Sequence, residues 1–438
     1  MKYFSLNHKA AQVTFKEAVV RGLAPDRGLY FPSEITPLPS SFYDKIESLD
    51  PVSIAYEVIR QFVGDEISEI DLKQILRDVL SFDFPLVEVE ENVLALELYH
   101  GPTLAFKDVG ARFMARCVGH FNKDAETAEQ VTVLVATSGD TGGAVASGFY
   151  EVPGVDVVIL YPSGKVSDIQ EKQLTTLGKN IAAVEVNGAF DDCQEMVKQA
   201  FLDHDFLGKR KLTSANSINV ARWLPQMFYF FFTYQKLKSQ GKDLVFSVPS
   251  GNFGNICAGM MAQRLGLPVK HFVTGTNMNN IVPRYLKTDV YDIKPSVATI
   301  SNAMDVGAPS NFIRIQELYG NDTERLRQNL SGFSYTDDET RAALERLFSE
   351  RKYIADPHGA IGYLALTEYM ATSEENILGV FLETAHPVKF IDVIPKHISE
   401  EIEIPKTIKS ILTKTKKAEK ITTYAELKQY LLKEAIAK

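Results

Sequence analysis

The stretch VTVLVATSGDTGGAVASGFY, residues 131–150, holds the pattern that decides the fold. Residues 131–136 form a short apolar run typical of a buried strand, and residues 144–150 have a helical pattern. The glycine-rich loop at 137–143 joins them, and its N–H groups can approach an anion closely at the start of the helix. A carboxylate or phosphate suits such a loop, although an ordinary turn between strand and helix explains it equally well.

The alternation of strand and helix continues on both sides of this loop. Strands are predicted at 155–160, 181–186, 244–248, 271–274 and 377–382, and helices at 168–177, 191–203, 222–238, 338–350 and 359–370. A first block at 1–95 has helical patterns near 54–63 and 67–80, and residues 277–334 are expected to be less regular. Because short buried strands separated by helices need crossover connections, the pattern predicts an α/β fold with parallel sheets.

The composition is typical of a globular protein and excludes several classes. The 438 residues are 45% hydrophobic and carry a net charge of −9, so the chain can bury a large core in two or three domains. The acidic balance argues against nucleic-acid binding, and no apolar run has the length of a membrane span or signal peptide. The three cysteines lack CxxC spacing, so we expect a reducing cytoplasm and neither disulfides nor a metal site.

Lys107 lies in the run HGPTLAFKD at 100–108, among small, apolar and turn-forming residues. Beside the apolar residues 104–106, an ammonium loses hydration, which favours the neutral amine and makes it a nucleophile toward an aldehyde. The chemistry indicated is a Schiff base. An ion pair with Asp108, or a helix cap formed by that residue, would explain the same run without catalysis.

Three further segments offer groups that could bind a ligand. The loop SGNFGN at 250–255 repeats the anion-binding pattern between a strand and a helix, without the spacing of a nucleotide-binding loop. The segment TSANSINVAR at 213–222 fits either a capped loop or a substrate site with one guanidinium. Thr384 follows the predicted strand at 377–382, at the end where open α/β sheets hold ligands.

Five segments together closely resemble threonine synthases, which are fold-type II enzymes dependent on pyridoxal 5'-phosphate. These segments are 100–108, 137–142, 214–219, 250–255 and 384–389, and residues 26–32 extend the resemblance into the first block. The resemblance implies two open, mostly parallel sheets flanked by helices, as in tryptophan synthase β, with a mainly helical N-terminal module. It implies that this module spans 1–95, a smaller mobile α/β domain 112–238, and a larger cofactor-binding domain 96–111 and 239–438.

The resemblance also implies roles for individual residues. Lys107 would form the Schiff base with the cofactor and then carry protons at the substrate carbons. The residues implied to receive the cofactor phosphate are Gly251, Asn252, Phe253, Gly254 and Asn255. Thr384 would face the pyridine nitrogen with a neutral hydroxyl. The residues implied to bind substrate are Ser138, Gly139, Asp140 and Thr141 around its carboxylate and amino group, and Asn216, Ser217, Asn219 and Arg222 at its phosphate.

Asp140 departs from the pattern of many fold-type II enzymes, which have asparagine at this position. A carboxylate there would repel the carboxylate of the substrate. We therefore expect Asp140 to order its loop by accepting backbone N–H bonds.

The reaction implied is conversion of O-phospho-L-homoserine and water to L-threonine and phosphate, the last step of threonine biosynthesis. It would proceed by γ-elimination and β-addition of water in a closed, dry site. The implied partner is this small-molecule substrate, and the implied state a monomer or homodimer. Two alternatives stay open: a related lyase or dehydratase acting on phosphohomoserine, serine or threonine, and a non-catalytic sensor of a phosphorylated metabolite.

Overall fold

The computed structural model describes residues 1–123, 130–206, 210–373 and 376–433. Within these residues the strands are β1 (Lys2–Ser5), β2 (Val13–Thr14), β3 (Tyr30–Pro32), β4 (Leu86–Glu90), β5 (Val93–Glu97), β6 (Val131–Ala136), β7 (Val155–Pro162), β8 (Ile181–Val186), β9 (Lys211–Ser214), β10 (Asp243–Pro249), β11 (His271–Thr276), β12 (Leu330–Ser334), β13 (Ile377–Glu383) and β14 (Glu419–Ile421).

The helices in the same described ranges alternate with these strands. They are α1 (Phe15–Arg21), α2 (Ser40–Lys45), α3 (Pro51–Val63), α4 (Glu69–Val79), α5 (Lys107–Lys123), α6 (Asp140–Phe149), α7 (Asp168–Thr175), α8 (Phe190–Leu202), α9 (Val220–Trp223), α10 (Met227–Leu237), α11 (Gly254–Arg264), α12 (Ile281–Thr288), α13 (Phe312–Leu318), α14 (Thr323–Arg327), α15 (Asp337–Arg351), α16 (Pro357–Ala371), α17 (Lys396–Ser399), α18 (Lys406–Leu412) and α19 (Tyr424–Leu431). No helix of the described chain combines the length and the apolar character that crossing a membrane requires.

The residues form two compact units. The first unit comprises Met1, Phe31–Phe106 and Trp223–Glu403, and the second comprises Lys2–Tyr30, Lys107–Arg222 and Ile404–Lys438. This grouping differs from the predicted block at 1–95, because Lys2–Tyr30 packs with the second unit. Two side chains of that unit donate to the main-chain oxygen of Val19: Thr213 Oγ1 at 3.3 Å and Asn219 Nδ2 at 2.8 Å.

The first unit contains a six-stranded sheet in the order β12-β11-β10-β13-β5-β4. Its strands are parallel except β4, which runs antiparallel to β5. All seven residues of β13 are buried, as its nearly continuous apolar sequence predicts for a strand covered on both faces. Helix α16 packs against this sheet through Ile361 and Leu366, which share a core with Val245 and Phe381.

The second unit contains a five-stranded parallel sheet in the order β14-β8-β7-β6-β9. Every residue of β6 and β7 is buried, and the bounds of β6 and β8 are those that the sequence predicts. The two sheets and their helices confirm the predicted α/β class with open, mostly parallel sheets.

Several local predictions are incomplete. Residues 277–334, expected to be irregular, contain α12, α13, α14 and β12, which are short and separated by turns. The predicted helix at 222–238 is divided into α9 and α10 by a 3₁₀ turn, Leu224–Gln226, where Pro225 removes one N–H donor. The lysine-rich segment at 406–420, for which no strand is predicted, is helical in α18, and its end pairs with β8 as β14.

Candidate active site

The main chain just before Lys107 is held within the first unit by the segment that follows β13. The N–H of Phe106 donates to the carbonyl of Thr384 at 2.9 Å, and the N–H of His386 donates to the carbonyl of Leu104 at 3.1 Å. These two bonds surround an antiparallel bridge and fix the chain at the residue next to Lys107. Thr384 is itself buried, directly after the carboxyl end of β13.

Two side chains of the first unit reinforce this segment. Lys389 is buried and its ammonium donates to the carbonyl of Thr103 at 2.9 Å. The phenol of Tyr229 donates to the carbonyl of Phe106. Together they leave the peptide before Lys107 little freedom to move.

Lys107 is the first residue of α5 in the second unit, and its side chain is 16% exposed. Its Nζ lies 4.0 Å from Oδ2 of Asp140, which is buried in the first turn of α6. The other oxygen, Asp140 Oδ1, accepts from Nε2 of Gln170 at 3.0 Å. Gln170 is completely buried and belongs to the capping box of α7 with Ser167, so a rigid side chain holds the carboxylate beside the lysine.

The loop that contains Ser138 is ordered by Thr137. Its Oγ1 accepts from the N–H groups of Gly139 and Gly142, both at 2.9 Å. The sequence predicts such bonds for Asp140, but its Oδ1 accepts from a side-chain amide and its Oδ2 faces Lys107. Gly139 has φ 139°, and a Cβ there would lie 2.5 Å from the Gln170 side chain, so the loop needs glycine at this point.

The loop leaves its outer side chains able to meet a ligand. Ser138 and Thr141 are half-buried, whereas Gly139 and Asp140 are buried. Helix α6 begins at Asp140, so the N–H groups of its first turn present a partial positive charge at the loop. A carboxylate is the ligand that this arrangement suits.

The loop at 250–255 in the first unit, the predicted phosphate cradle, is closely packed and leads into a helix. Gly251 approaches a neighbouring turn so closely that a Cβ would lie 2.7 Å from Met304 Cα. Phe253 adopts a left-handed conformation with φ 61°, and α11 begins at the next residue, Gly254. The first N–H groups of a helix have no acceptor within it, so this loop can receive the dianionic phosphate of a cofactor through its main chain.

The asparagine side chains of this loop hold the loop itself. Asn255 donates from Nδ2 to the carbonyl of Pro249 at 2.8 Å, and its Oδ1 accepts from the N–H of Ile256 at 2.9 Å. Oδ1 of Asn252 accepts from the N–H of Ser310 at 2.6 Å. These side-chain atoms thus bond to the main chain of the protein itself.

Two of the residues predicted to bind the substrate phosphate are engaged with the main chain of the second unit. Asn219 is fully buried, and its amide donates to the carbonyls of Val19 and Ser214 at 2.8 and 3.1 Å. Its Oδ1 accepts from the N–H of Ala221 at 3.0 Å. The polar atoms of Asn219 thus bond to the protein itself, and its contact with the substrate phosphate stays a prediction. Arg222 is also buried and donates to the carbonyl of Ala215.

The remaining two residues of that segment lie side by side in the loop after β9. Asn216 donates from Nδ2 to the carbonyl of Ala136 at 2.8 Å, which ties its loop to the end of β6. Ser217 is half-buried in the same loop, whereas Asn219 and Arg222 are buried. Since Ser217 keeps part of its surface open, it is better placed to reach a ligand than the two buried residues.

The sequence interpretation missed a group of titratable side chains behind Thr384. Glu383, Asp356 and His358 are all buried in the first unit, where Asp356 caps α16. Burial raises the pKa of the Glu383 carboxyl well above its ordinary value, and the nearby charge of Asp356 raises it further. The sequence signals the cap through Asp356-Pro357, but no pattern indicates that it meets the end of β13.

His386 belongs to the same part of the first unit. Burial lowers the pKa of His386 to about 4, with a further contribution from His100. Its Nδ1 accepts from the N–H of Val388 at 3.1 Å, which requires that nitrogen to be unprotonated. The ring is therefore a neutral acceptor that shapes the turn after Thr384.

Comparison with known proteins finds three family models that match this chain. A family model described as "Pyridoxal-phosphate dependent enzyme" matches residues 83–381. Two others, described as "Threonine synthase N terminus" and "Threonine synthase, C-terminal", match residues 2–80 and 359–431. The chain is thus a pyridoxal-phosphate-dependent enzyme of fold type II.

Individual relatives narrow the class to one family. The threonine synthase of Haemophilus influenzae is 43% identical over 435 residues, which cover 99% of this chain and 100% of that one. The crystal structure of threonine synthase from Escherichia coli superimposes with a TM-score of 0.92 and 41% identity over 99% of each chain. The PLP-bound threonine synthase from Brucella melitensis gives a TM-score of 0.90 with 33% identity over 99% of each chain. The chain belongs to the threonine synthase family.

Proposed function

We propose that the chain converts O-phospho-L-homoserine and water to L-threonine and inorganic phosphate. The observation that carries the proposal is the Lys107–Asp140 pair, in which a nearly buried lysine beside a carboxylate begins α5. Such a lysine can hold an aldehyde cofactor covalently and act afterwards as a proton carrier. The family identity supports the choice of substrate, which the pair alone does not define.

Pyridoxal 5'-phosphate, when bound, supplies the electron sink that acidifies the carbon atoms of an amino acid. The residues proposed to hold its phosphate are Gly251, Asn252, Phe253, Gly254 and Asn255, through their main chain. Thr384 is proposed to meet the pyridine nitrogen with a neutral hydroxyl. A neutral partner leaves the nitrogen less firmly protonated than a carboxylate would, which moderates the electron withdrawal of the ring.

Lys107 is proposed to move protons at the α and β carbons of the substrate. Asp140, whose Oδ2 lies 4.0 Å from Lys107 Nζ, is proposed to hold that nitrogen in place and to offset its charge whenever it carries a proton. Ser138, Thr141 and the first turn of α6 are proposed to bind the substrate carboxylate. Because Gln170 fixes Asp140 against Lys107, the negative charge of Asp140 is already partnered and repels the substrate carboxylate less.

The substrate phosphate is proposed to bind at the loop after β9. Ser217 is proposed to donate its hydroxyl, and Arg222 to add positive charge from behind the loop while it stays bonded to Ala215. Asn216 is proposed to orient Ser217 through its bond to the end of β6. Closure of a smaller domain around residues 112–238 is proposed to exclude bulk water during the reaction.

The setting proposed for this enzyme is the cytoplasm, as a monomer or homodimer with a small-molecule substrate. Neither nucleic acid nor membrane is proposed as a partner, in view of the net charge of −9. Light scattering coupled to size-exclusion chromatography would give the oligomeric state directly.

Two measurements on the purified holoenzyme test the proposal. With O-phospho-L-homoserine, phosphate and threonine should appear in equal molar amounts; phosphate without threonine would indicate a lyase, and no turnover would refute the proposal. Lys107→Ala should lose the visible absorption band of the bound cofactor together with all turnover. Lys123→Ala is the matched control, because Lys123 is exposed at the other end of the same helix.

A further inference from the structure

Two buried carboxyl groups meet in the first unit, directly behind Thr384. Glu383 is the last residue of β13 and Asp356 is the N-cap of α16, and both side chains are fully buried. The main-chain N–H of Asp356 donates to Glu383 Oε2 at 3.4 Å, and the two side chains lie within hydrogen-bonding reach of each other. Among the described residues, Glu383 Oε1 and Asp356 Oδ2 have no donor. If both carboxyl groups were charged, they would repel strongly in this buried position.

Helix α16 provides the space for this pair. A Cβ on Gly359, in the first turn of the helix, would lie 1.9 Å from Glu383 Oε1. The Glu383 carboxyl therefore lies directly against α16 at Gly359, and any larger residue at position 359 would displace it. The Glu383 side chain lies beside the capping carboxylate of Asp356.

Asp356 is bonded on its other side to His358. Asp356 Oδ1 accepts from the main-chain N–H of His358 at 2.7 Å and also from its ring Nδ1. His358 Nε2 in turn accepts from the N–H of Ala303 at 3.2 Å. These roles require the ring proton on Nδ1 and make Asp356 Oδ1 the acceptor of two hydrogen bonds, which suits a carboxylate.

The bonded chain ends at two proposed contacts of the cofactor. At one end, Thr384 follows Glu383 directly. At the other end, the turn containing Ala303 packs on the phosphate cradle, since a Cβ on Gly251 would lie 3.0 Å from Ala303 O and 2.7 Å from Met304 Cα. The side chains thus join the proposed pyridine contact to the floor of the cradle within one unit.

We propose that Glu383 and Asp356 share a single proton, and that this pair and His358 are positioning residues for the cofactor. Glu383 stays neutral and donates to the Asp356 carboxylate, which fixes Thr384 on one side and the Ala303 turn on the other. Glu97, Tyr99 and Tyr353 also act on Glu383, and none of these three is a cation that could offset a negative charge there. The inference rests on the cofactor site of the proposed function.

Infrared spectroscopy of the holoenzyme tests the shared proton. A protonated carboxylic acid has a C=O stretching band that carboxylates lack, and its frequency shifts in deuterated water. At neutral pH the difference spectrum between the wild type and Glu383→Gln should contain this band, and that for Glu350→Gln, an exposed control in α15, should not. A Glu383→Gln difference spectrum without the band would overturn the proposal. So would a melting temperature of Glu383→Gln several degrees above the wild type, because that would reveal two repelling charges.

Cofactor affinity, measured by absorbance on reconstitution of the apoenzyme, tests the positioning role. Glu383→Ala should weaken binding of pyridoxal phosphate by about tenfold, and Glu383→Gln, which stays neutral and can donate to Asp356, should recover most of that loss. His358→Asn keeps a donor for Asp356 but removes the acceptor for Ala303, so about a fivefold loss is expected, equivalent to one neutral hydrogen bond. The positioning role would be wrong if all three variants, His358→Asn, Glu383→Gln and Glu383→Ala, bound the cofactor as tightly as the wild type.

These readouts do not depend on turnover. A holoenzyme that failed to form threonine but gave the expected infrared band and affinities would overturn the proposed function and leave the pair intact. Normal threonine formation without the infrared band would support the proposed function and overturn the shared proton. If Glu383→Ala does not fold, the band and the affinities of Glu383→Gln and His358→Asn still decide the question.

Discussion

Lys107 and Asp140 begin two helices of the second unit and face each other, with Nζ 4.0 Å from Oδ2. The buried amide of Gln170 holds the far oxygen of the carboxylate, so the pair has a defined geometry before any ligand arrives. Preorganised charge of this kind costs no rearrangement during a reaction. It also explains how a carboxylate could be tolerated next to the proposed site of an acidic substrate.

Replacing Asp140 by asparagine tests the value of this charge. The amide oxygen of the new side chain would still accept from Gln170, but the side chain would no longer balance the ammonium of Lys107. We expect kcat to fall about tenfold with a smaller change in KM, as for loss of a group that acts on proton transfer. Steady-state kinetics of Asp140→Asn and of Asp191→Asn, an exposed carboxylate at the start of α8, measure the difference. Equal kcat values for the two variants would remove Asp140 from the mechanism.

Gly251→Ala tests the close approach at the phosphate cradle. The new Cβ would lie 2.7 Å from Met304 Cα, so one of the two backbones must shift. We expect the affinity for pyridoxal phosphate to fall at least about tenfold, since N–H groups must be held in place to bind the phosphate. Gly119→Ala in α5 is the control, with its nearest contact at 3.3 Å to a side chain. Titration of both apoproteins with the cofactor decides, and an unchanged affinity in Gly251→Ala would contradict the cradle.

Replacement of Asn219 should affect the stability of the protein, whereas replacement of Ser217 should affect substrate binding. Asn219→Ala removes bonds to two buried carbonyls, and we expect the free energy of unfolding to fall by about 1 to 3 kcal/mol. Ser217→Ala should leave the free energy of unfolding nearly unchanged and raise KM for phosphohomoserine. Urea denaturation and initial rates measure the two quantities. A rise in KM for Asn219→Ala, without a loss of stability, would indicate that Asn219 contacts the substrate.

His386 should make the folded protein sensitive to mild acid. Its pKa is lowered from 6.5 to about 4 by burial, so the unfolded chain binds the proton first as the pH falls. The stabilisation from neutral His386 is complete above pH 6.5 and is lost as the pH falls through about 4. Relative to His386→Asn, the wild type should lose up to about 3 kcal/mol between these limits. Urea denaturation at intervals across this range measures the difference, and two parallel curves would show that His386 does not titrate there.

Local sequence patterns predicted the sheets because their strands are buried on both faces. Residues 131–136 and 181–186 are apolar runs that end at polar or glycine residues, and β6 and β8 have these same bounds. The two glycine-rich loops were found for a related reason: only a residue without a Cβ fits at Gly139 and Gly251. The glycine-rich pattern is itself local, so a single sequence reveals it, whereas the distant neighbours that require glycine are seen only in the fold.

Side-chain partnerships across the fold could not be predicted in this way. Asn219 resembles any helix cap until its bond to Val19, 200 residues away, is seen. The environment of Asp140 depends on the position of Gln170. That of Glu383 depends on the positions of Asp356 and Gly359. Each depends on how helices pack against sheets, and periodicity carries no information about that.

Isotope labelling tests the central claim, threonine formation by γ-elimination and addition of water, most directly. When the holoenzyme turns over O-phospho-L-homoserine in ¹⁸O-labelled water, the account predicts one label in the hydroxyl group of threonine and none in the released phosphate. Labelled phosphate together with homoserine would mean that the P–O bond is hydrolysed. That result would contradict the account.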